Sequence, residues 1–217
     1  MSGLVLSLFP GIDLLGRAFE EEGFVVVRGP DPIFGGDIHG FTPPPGRFDG
    51  VIGGPPCKGE STLAHLNGNP GVSLRSEFIR VRDAARPKWW VMEAVKHHHQ
   101  IDPFAMLLTP RWLGCTQSRK RWFHSNILLR RHVKIEVFEP MEFKHAVLAG
   151  HGGRHGTVVR GMATYTTEEM LHLQGVGKMD KPPFWTVAGF REAIGNGVPL
   201  PMGRAVARAV KEALRNA

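Results

Sequence analysis

The chain has 217 residues, 42% of them apolar, enough for one substantial core with a small appendage and no need of a disulfide framework. No apolar run approaches the roughly 18 residues of a membrane span, and no charged region precedes a hydrophobic one at the amino terminus, so a soluble, cytoplasmic protein is expected. The 27 Lys and Arg against 20 Asp and Glu give a net charge of +7 and a pI near 9.8, which favours a polyanionic partner.

The first apolar run, Leu4 to Phe9, breaks at Pro10-Gly11, and the segment from Asp13 to Glu22 that follows carries helical spacing: strand, tight turn, helix. A second run, Phe24 to Val27, ends at Arg28-Gly29-Pro30. Pro43-Pro44-Pro45 reads as a stiff connector. A third run, Val51-Ile52, ends at Gly53-Gly54-Pro55-Pro56, and a helix from about Val72 to Ala85 precedes a fourth, Trp89 to Met92. Strands alternating with helices predict an α/β fold with a mostly parallel sheet, which binds ligands beyond the carboxyl ends of its strands. The informative residues therefore stand just after each run.

From Ile127 the texture changes. The second half of Leu128 to Phe138 alternates like a strand, and His151-Gly-Gly-Arg-His-Gly reads as a flexible loop. The domain reading is a catalytic and cofactor-binding unit over 1–126, a small recognition lobe over 127–177, and a return to the first unit over 178–217. In that return a helix after Pro201 repeats Met202, Val206, Val210 and Leu214 at every fourth position and is expected to pack on the first unit.

Two cysteines in unrelated contexts, Cys57 and Cys115, indicate a reducing compartment and at most one reactive thiol. Cys57 follows Gly53-Gly-Pro-Pro, which holds a thiol on a stiff loop at the edge where substrates bind; a buried structural cysteine is the alternative. The run ending at Glu93 brings a carboxylate to the same edge. Gln117-Ser-Arg119-Lys-Arg121 adds alternating guanidinium groups, or is simply a solvated strand face. Ser7-Leu-Phe-Pro-Gly-Ile is by itself a weak sign of a ligand turn. His97-His98-His99 lacks the partners and spacing of a metal site, so no metal is expected, and Cys115 reads as a packed core thiol.

Taken in order, these pieces resemble the DNA cytosine-C5 methyltransferase family. The resemblance runs through the glycine turn at Phe9 and Gly11, Gly36-Asp37-Ile38, the Pro-Pro-Cys loop, the strand ending in Glu93 and the Gln-x-Arg-x-Arg motif. It closes with Leu173-Gln174-Gly175 and Gly195-Asn196-Gly-Val-Pro199, so that it spans nearly the whole chain. It implies a Rossmann-like, S-adenosylmethionine-dependent methyltransferase sheet with a small second lobe, a monomer acting on cytosine in DNA. By resemblance, Cys57 attacks C6 of a flipped cytosine, Glu93 serves N3, Arg121 holds O2 and Arg119 supports the loop. The cofactor falls to Phe9, Pro10, Gly11, Asp37, Ile38, Pro56 and Asn196, and DNA contacts to Ser61, Gln117, Arg154 and Arg160, with His145, His151 and His155 as further phosphate ligands. So short a second lobe implies relaxed sequence specificity, and so pared-down a chain suits a phage or mobile element.

Departures from the pattern keep other readings open. Lys58 and Glu60 stand where the family has Gln and Phe, Ser7 replaces an Asp, Asp13-Leu14 replace paired glycines, and Ala94 replaces Asn. The acid that holds the cofactor ribose is replaced by Arg28-Gly29-Pro30, with Asp31 as its substitute. The cations Arg28 and Lys58 suggest a negatively charged cofactor, carboxy-S-adenosylmethionine, and a 5-carboxymethylcytosine product. A transfer-RNA cytosine methyltransferase and a catalytically silent DNA-binding partner are the remaining alternatives.

Overall fold

The computed structural model describes residues 3–56, 73–101, 104–135, 144–148 and 165–216. The strands form one six-stranded sheet in the order β2-β1-β3-β4-β6-β5. They are β1 (Leu4–Leu8), β2 (Val25–Arg28), β3 (Gly50–Gly53), β4 (Trp89–Ala94), β5 (Phe104–Leu108) and β6 (Arg121–Ser125). The first four strands run parallel, β6 lies antiparallel to β4, and β5 lies antiparallel to β6. The fold is α/β, as expected.

Side chains alternate across each strand, so both faces of the sheet have a core. On one face Val5, Ile52, Val91 and Phe123 pack with Phe19 of α1 (Leu14–Glu21) and with Met202, Val206 and Val210 of the carboxyl-terminal helix. On the other, Leu6, Leu8, Val51 and Met92 meet Phe78, Val81 and Ala85 of α2 (Arg75–Ala85). Full burial of a side chain such as Phe19 or Phe123 contributes about 1.5–3 kcal/mol.

Three helices complete the described chain: α3 (Thr167–Leu173), α4 (Val187–Asn196) and α5 (Leu200–Arg215). Helix α5 lies along α1, held by Arg204 to Glu21 at 2.6 Å and Arg208 to Glu22 at 2.9 Å. Its apolar stripe stops one turn short of the repeat, since Leu214 is 42% exposed.

The strand expected in the second half of Leu128 to Phe138 does not form in its described part. Leu129–Arg131 is a single 3-10 turn, and Val133 to Ile135 has no regular structure. Leu129 and Val133, four apart, both turn toward the α5 side of the core, whereas Ile135 is 53% exposed, so the burial follows a turn rather than a strand. Conversely, the sequence reading places no element at β5, β6, α3 or α4. Thr166 and Glu169 form a capping box legible as Thr-x-x-Glu, and Phe104–Leu108 is a short apolar run bounded by Pro103 and Pro110.

Candidate active site

Because β1 to β4 run parallel, Phe9, Arg28, Gly54 and the end of β4 gather at one edge. The turn leaving β1 is left-handed at Phe9 (φ 55), Gly11 (φ 54) and Asp13 (φ 51), and it closes through Asp13 N donating to Pro10 O at 2.6 Å. Asp tolerates this conformation better than most side chains, which accounts for an acid in a glycine position. Asp13 Oδ1 accepts from Gly16 N, capping α1, and from Ser7 Oγ at 2.9 Å, while Oδ2 meets Arg28 Nε at 2.8 Å. Three departures from the family pattern are thus one network. Burial pushes the Asp13 carboxyl up, opposed by the Ser7 hydrogen bond and the Arg28 charge.

Arg28 also pairs with Glu20 at 3.0 Å. Its charge is matched by two carboxylates of the chain itself. Lys58, the other cation of the charged-cofactor reading, lies outside the described residues. Asp31 is buried, and its oxygens accept from Gly11 N and Ile33 N, each at 2.9 Å. It ties the exit of β2 to the glycine turn. Among the described residues, nothing lies within 4 Å of where a side chain on Gly11 would begin.

Further along the edge, Asp37 is exposed and accepts from the backbone N–H of His39, which lowers its carboxyl pKa most, and pairs with the His39 ring at 2.7 Å. Ile38 is 2% exposed and packs in the core cluster of Leu6, Leu8 and Phe48. Phe9, Pro10 and Pro56 are half-buried, and Asn196 is the exposed last residue of α4.

Glu93 is the penultimate residue of β4 and Arg121 the first of β6, so the antiparallel pairing returns the arginine to the same edge. Glu93 Oε1 lies 2.6 Å from Arg121 Nε, with side-chain exposures of 9% and 14%. On the other side of the carboxyl, a Cβ on Gly54 would stand 2.9 Å from Glu93 Oε2. The backbone that leads through Pro55 and Pro56 to Cys57 therefore starts against this carboxyl group. Cys57 and Ser61 themselves lie outside the described residues.

The Gln-x-Arg-x-Arg motif is not a solvated strand face. Arg119 is 4% exposed and donates to Val147 O, and its burial, then the charge of Arg121, hold its pKa well below the ordinary guanidinium value while Glu93 acts the other way. Gln117 has no exposed surface; it accepts from Val147 N at 3.1 Å and donates to Leu173 O at 2.6 Å. Both ends of its amide join 144–148 and α3 to the sheet. Gln174, also fully buried, donates to Ile194 O at 2.6 Å and Gly197 O at 3.1 Å and was missed as a structural residue. Arg154, Arg160, His151 and His155 lie outside the described residues, and His145 is exposed.

The histidine run packs against residues of β6 and α2. The His97 ring stacks on Trp122 at 4.4 Å and parallels His124 at 5.5 Å, and Arg75 bonds His98 Nδ1 at 2.8 Å. Cys115 is half-buried, and burial raises its thiol pKa. A groove of about 620 Å³ between α3 and α4, lined by Leu171, His172, Lys178 and Phe190, includes none of the edge residues above.

No protein-family profile matches the sequence. Solved structures do. A protein encoded within an E. coli prophage and described as a DNA modification methyltransferase aligns at TM-score 0.66 and 14% identity, over 99% of this chain and 100% of that one. The Entamoeba histolytica methyltransferase EhMeth aligns at TM-score 0.67 and 10% identity over 99% of each chain. The S. pombe Dnmt2 methyltransferase aligns at 0.62 and 13% over 99% of each. The chain shares the fold of these structures. On this Rossmann-like sheet, Glu93, Arg121 and the glycine turn all occupy the carboxyl edge, where open α/β sheets bind ligands. No described helix is long and apolar enough to cross a membrane.

Proposed function

We propose that the chain transfers a methyl group from S-adenosylmethionine to C5 of cytosine in DNA. The reading is carried by the buried Glu93–Arg121 pair, 2.6 Å apart and seated against the backbone that leads to Cys57. Cytosine C5 is a poor nucleophile. A Cys57 thiolate adding at C6 pushes electron density toward C5, and Glu93 assists by giving or sharing a proton at N3. Arg121 has more N–H donors than its bond to Glu93 uses, so it can hold the carboxyl group and the cytosine O2 together. Once C5 carries the new methyl, loss of its proton and expulsion of the thiolate restore the aromatic ring. The target base must leave the duplex to reach this pocket.

When bound, S-adenosylmethionine supplies a methyl group made electrophilic by sulfonium. Phe9, Pro10, Gly11, Asp37, Pro56 and Asn196 would hold it, with Asp31 fixing the turn beneath. Arg119 acts at a distance, by clamping the segment at Val147 to the sheet. Ser61, Arg154 and Arg160 are assigned to the nucleic acid, and the short lobe over 127–177 to a relaxed target preference.

The test is incubation of the protein with S-adenosylmethionine and, in separate arms, duplex DNA or transfer RNA, followed by digestion and nucleoside mass spectrometry. 5-Methylcytosine in the DNA arm, abolished by Cys57→Ala, is expected. Product in the RNA arm alone would redirect the reading to transfer RNA. A cytosine one carboxymethyl heavier, with carboxy-S-adenosylmethionine, would favour the charged-cofactor alternative. DNA binding without product in any arm would indicate a silent binding protein.

A further inference from the structure

Glu93 is gripped from two sides, and only one of those contacts involves a side chain. Arg121 Nε holds Oε1 at 2.6 Å, while Oε2 rests against the bare backbone of Gly54, so close that a Cβ there would stand 2.9 Å away. Gly54 follows directly on β3, whose pairing places Gly53 beside Met92, the residue before Glu93. It is also the last residue before Pro55 and Pro56, whose rings fix φ on the way to Cys57.

We propose that Gly54 is a positioning residue for the base-modifying reaction: its missing side chain seats the Glu93 carboxyl group at a set distance from the loop bearing Cys57. The inference rests on the proposed function and adds to it a residue that touches neither base nor cofactor. A methyl group at this position has two outlets. The carboxyl can retreat by about half an ångström, from 2.9 Å to the 3.4 Å at which ordinary contact begins, loosening its bond to Arg121. Otherwise the proline-stiffened loop shifts and carries Cys57 with it. The first outlet disturbs only the alignment of proton donor and nucleophile; the second also moves Pro56, assigned above to the cofactor.

Gly54 is well suited to a clean test. It does not have the positive φ that would strain alanine, and the atom in the way is the far end of a flexible side chain, so the protein should fold. Misplacement by 1 Å costs on the order of 100-fold in rate, which scales to about tenfold for half that shift. Gly54→Ala is therefore expected to lower kcat for cytosine methylation about tenfold, with KM for DNA, the Kd for S-adenosylhomocysteine and the melting temperature essentially unchanged.

The decisive arm is rescue. Glu93→Asp withdraws the carboxyl by one methylene and clears the space, so adding Gly54→Ala to Glu93→Asp should cost less than about twofold in kcat. Full kcat in Gly54→Ala, or the same tenfold loss in both backgrounds, would overturn the positioning role. A wild-type chain that binds S-adenosylhomocysteine and DNA but never turns over would instead refute the proposed function on which the role depends.

Discussion

The Glu93–Arg121 pair can be weighed by unfolding alone, independently of catalysis. A double-mutant cycle would use Glu93→Gln, Arg121→Met and the two together. With side-chain exposures of 9% and 14%, neither charge can be left to water when its partner is removed. Breaking a buried pair from one side costs about 3–5 kcal/mol, because a charge stays behind without compensation. Arg119, itself buried beside Glu93, partly balances the carboxylate in Arg121→Met, so about 3 kcal/mol is expected there, and at least as much for Glu93→Gln, where two buried guanidinium groups are left together. The double variant, which leaves neither charge, should lose only about 1–2 kcal/mol, giving a coupling energy of roughly 4 kcal/mol. At about 2–4 °C per kcal/mol for a chain of this size, each single variant should melt about 6–12 °C below the wild type. Urea unfolding followed by circular dichroism gives all four free energies. A coupling below about 0.5 kcal/mol would mean that the two groups do not meet in the folded protein, and the proposed function would lose its carrying observation.

Three further outcomes can be checked. The hydrogen bond from Arg204 holds the Glu21 carboxyl below its usual pKa, so this contact adds stability above the unfolded value near pH 4.3 and loses it as pH falls through the lower folded value. Arg204→Gln should therefore cost up to about 1 kcal/mol at pH 7, with the difference from wild type narrowing below about pH 4.3; a pH-independent gap would contradict this. Gln174→Leu strips the carbonyls of Ile194 and Gly197 of their donor and should cost about 2–4 kcal/mol in thermal unfolding, whereas a loss under 1 kcal/mol would show that these bonds contribute little. Iodoacetamide near neutral pH should react slowly with Cys115, whose thiol is pushed up by burial, and any fast phase should vanish in Cys57→Ser; a fast phase that survives would assign the reactive thiol wrongly.

Much of the architecture was legible from local signals. Short apolar runs closed by Gly and Pro marked β1 to β3, the apolar run after a helical stretch marked β4, and the repeat of Met202, Val206 and Val210 marked the helix that packs on the sheet. Those signals are local because they reflect backbone sterics and the burial of one face of one element. The ordered motifs likewise sufficed to place Glu93 and Arg121 at one edge.

What tertiary structure decided concerns residues whose partners are distant in the chain. Gln117 reads as a polar contact to a ligand until Val147 and Leu173 fold over both ends of its amide. Arg28 reads as a spare cation until Asp13 and Glu20 close on it, and Ser7 and Asp13 look like separate losses until they bond to each other. Hydropathy and spacing report what a side chain is able to do; which partner claims it depends on strand order and direction, and those are set by the whole core at once.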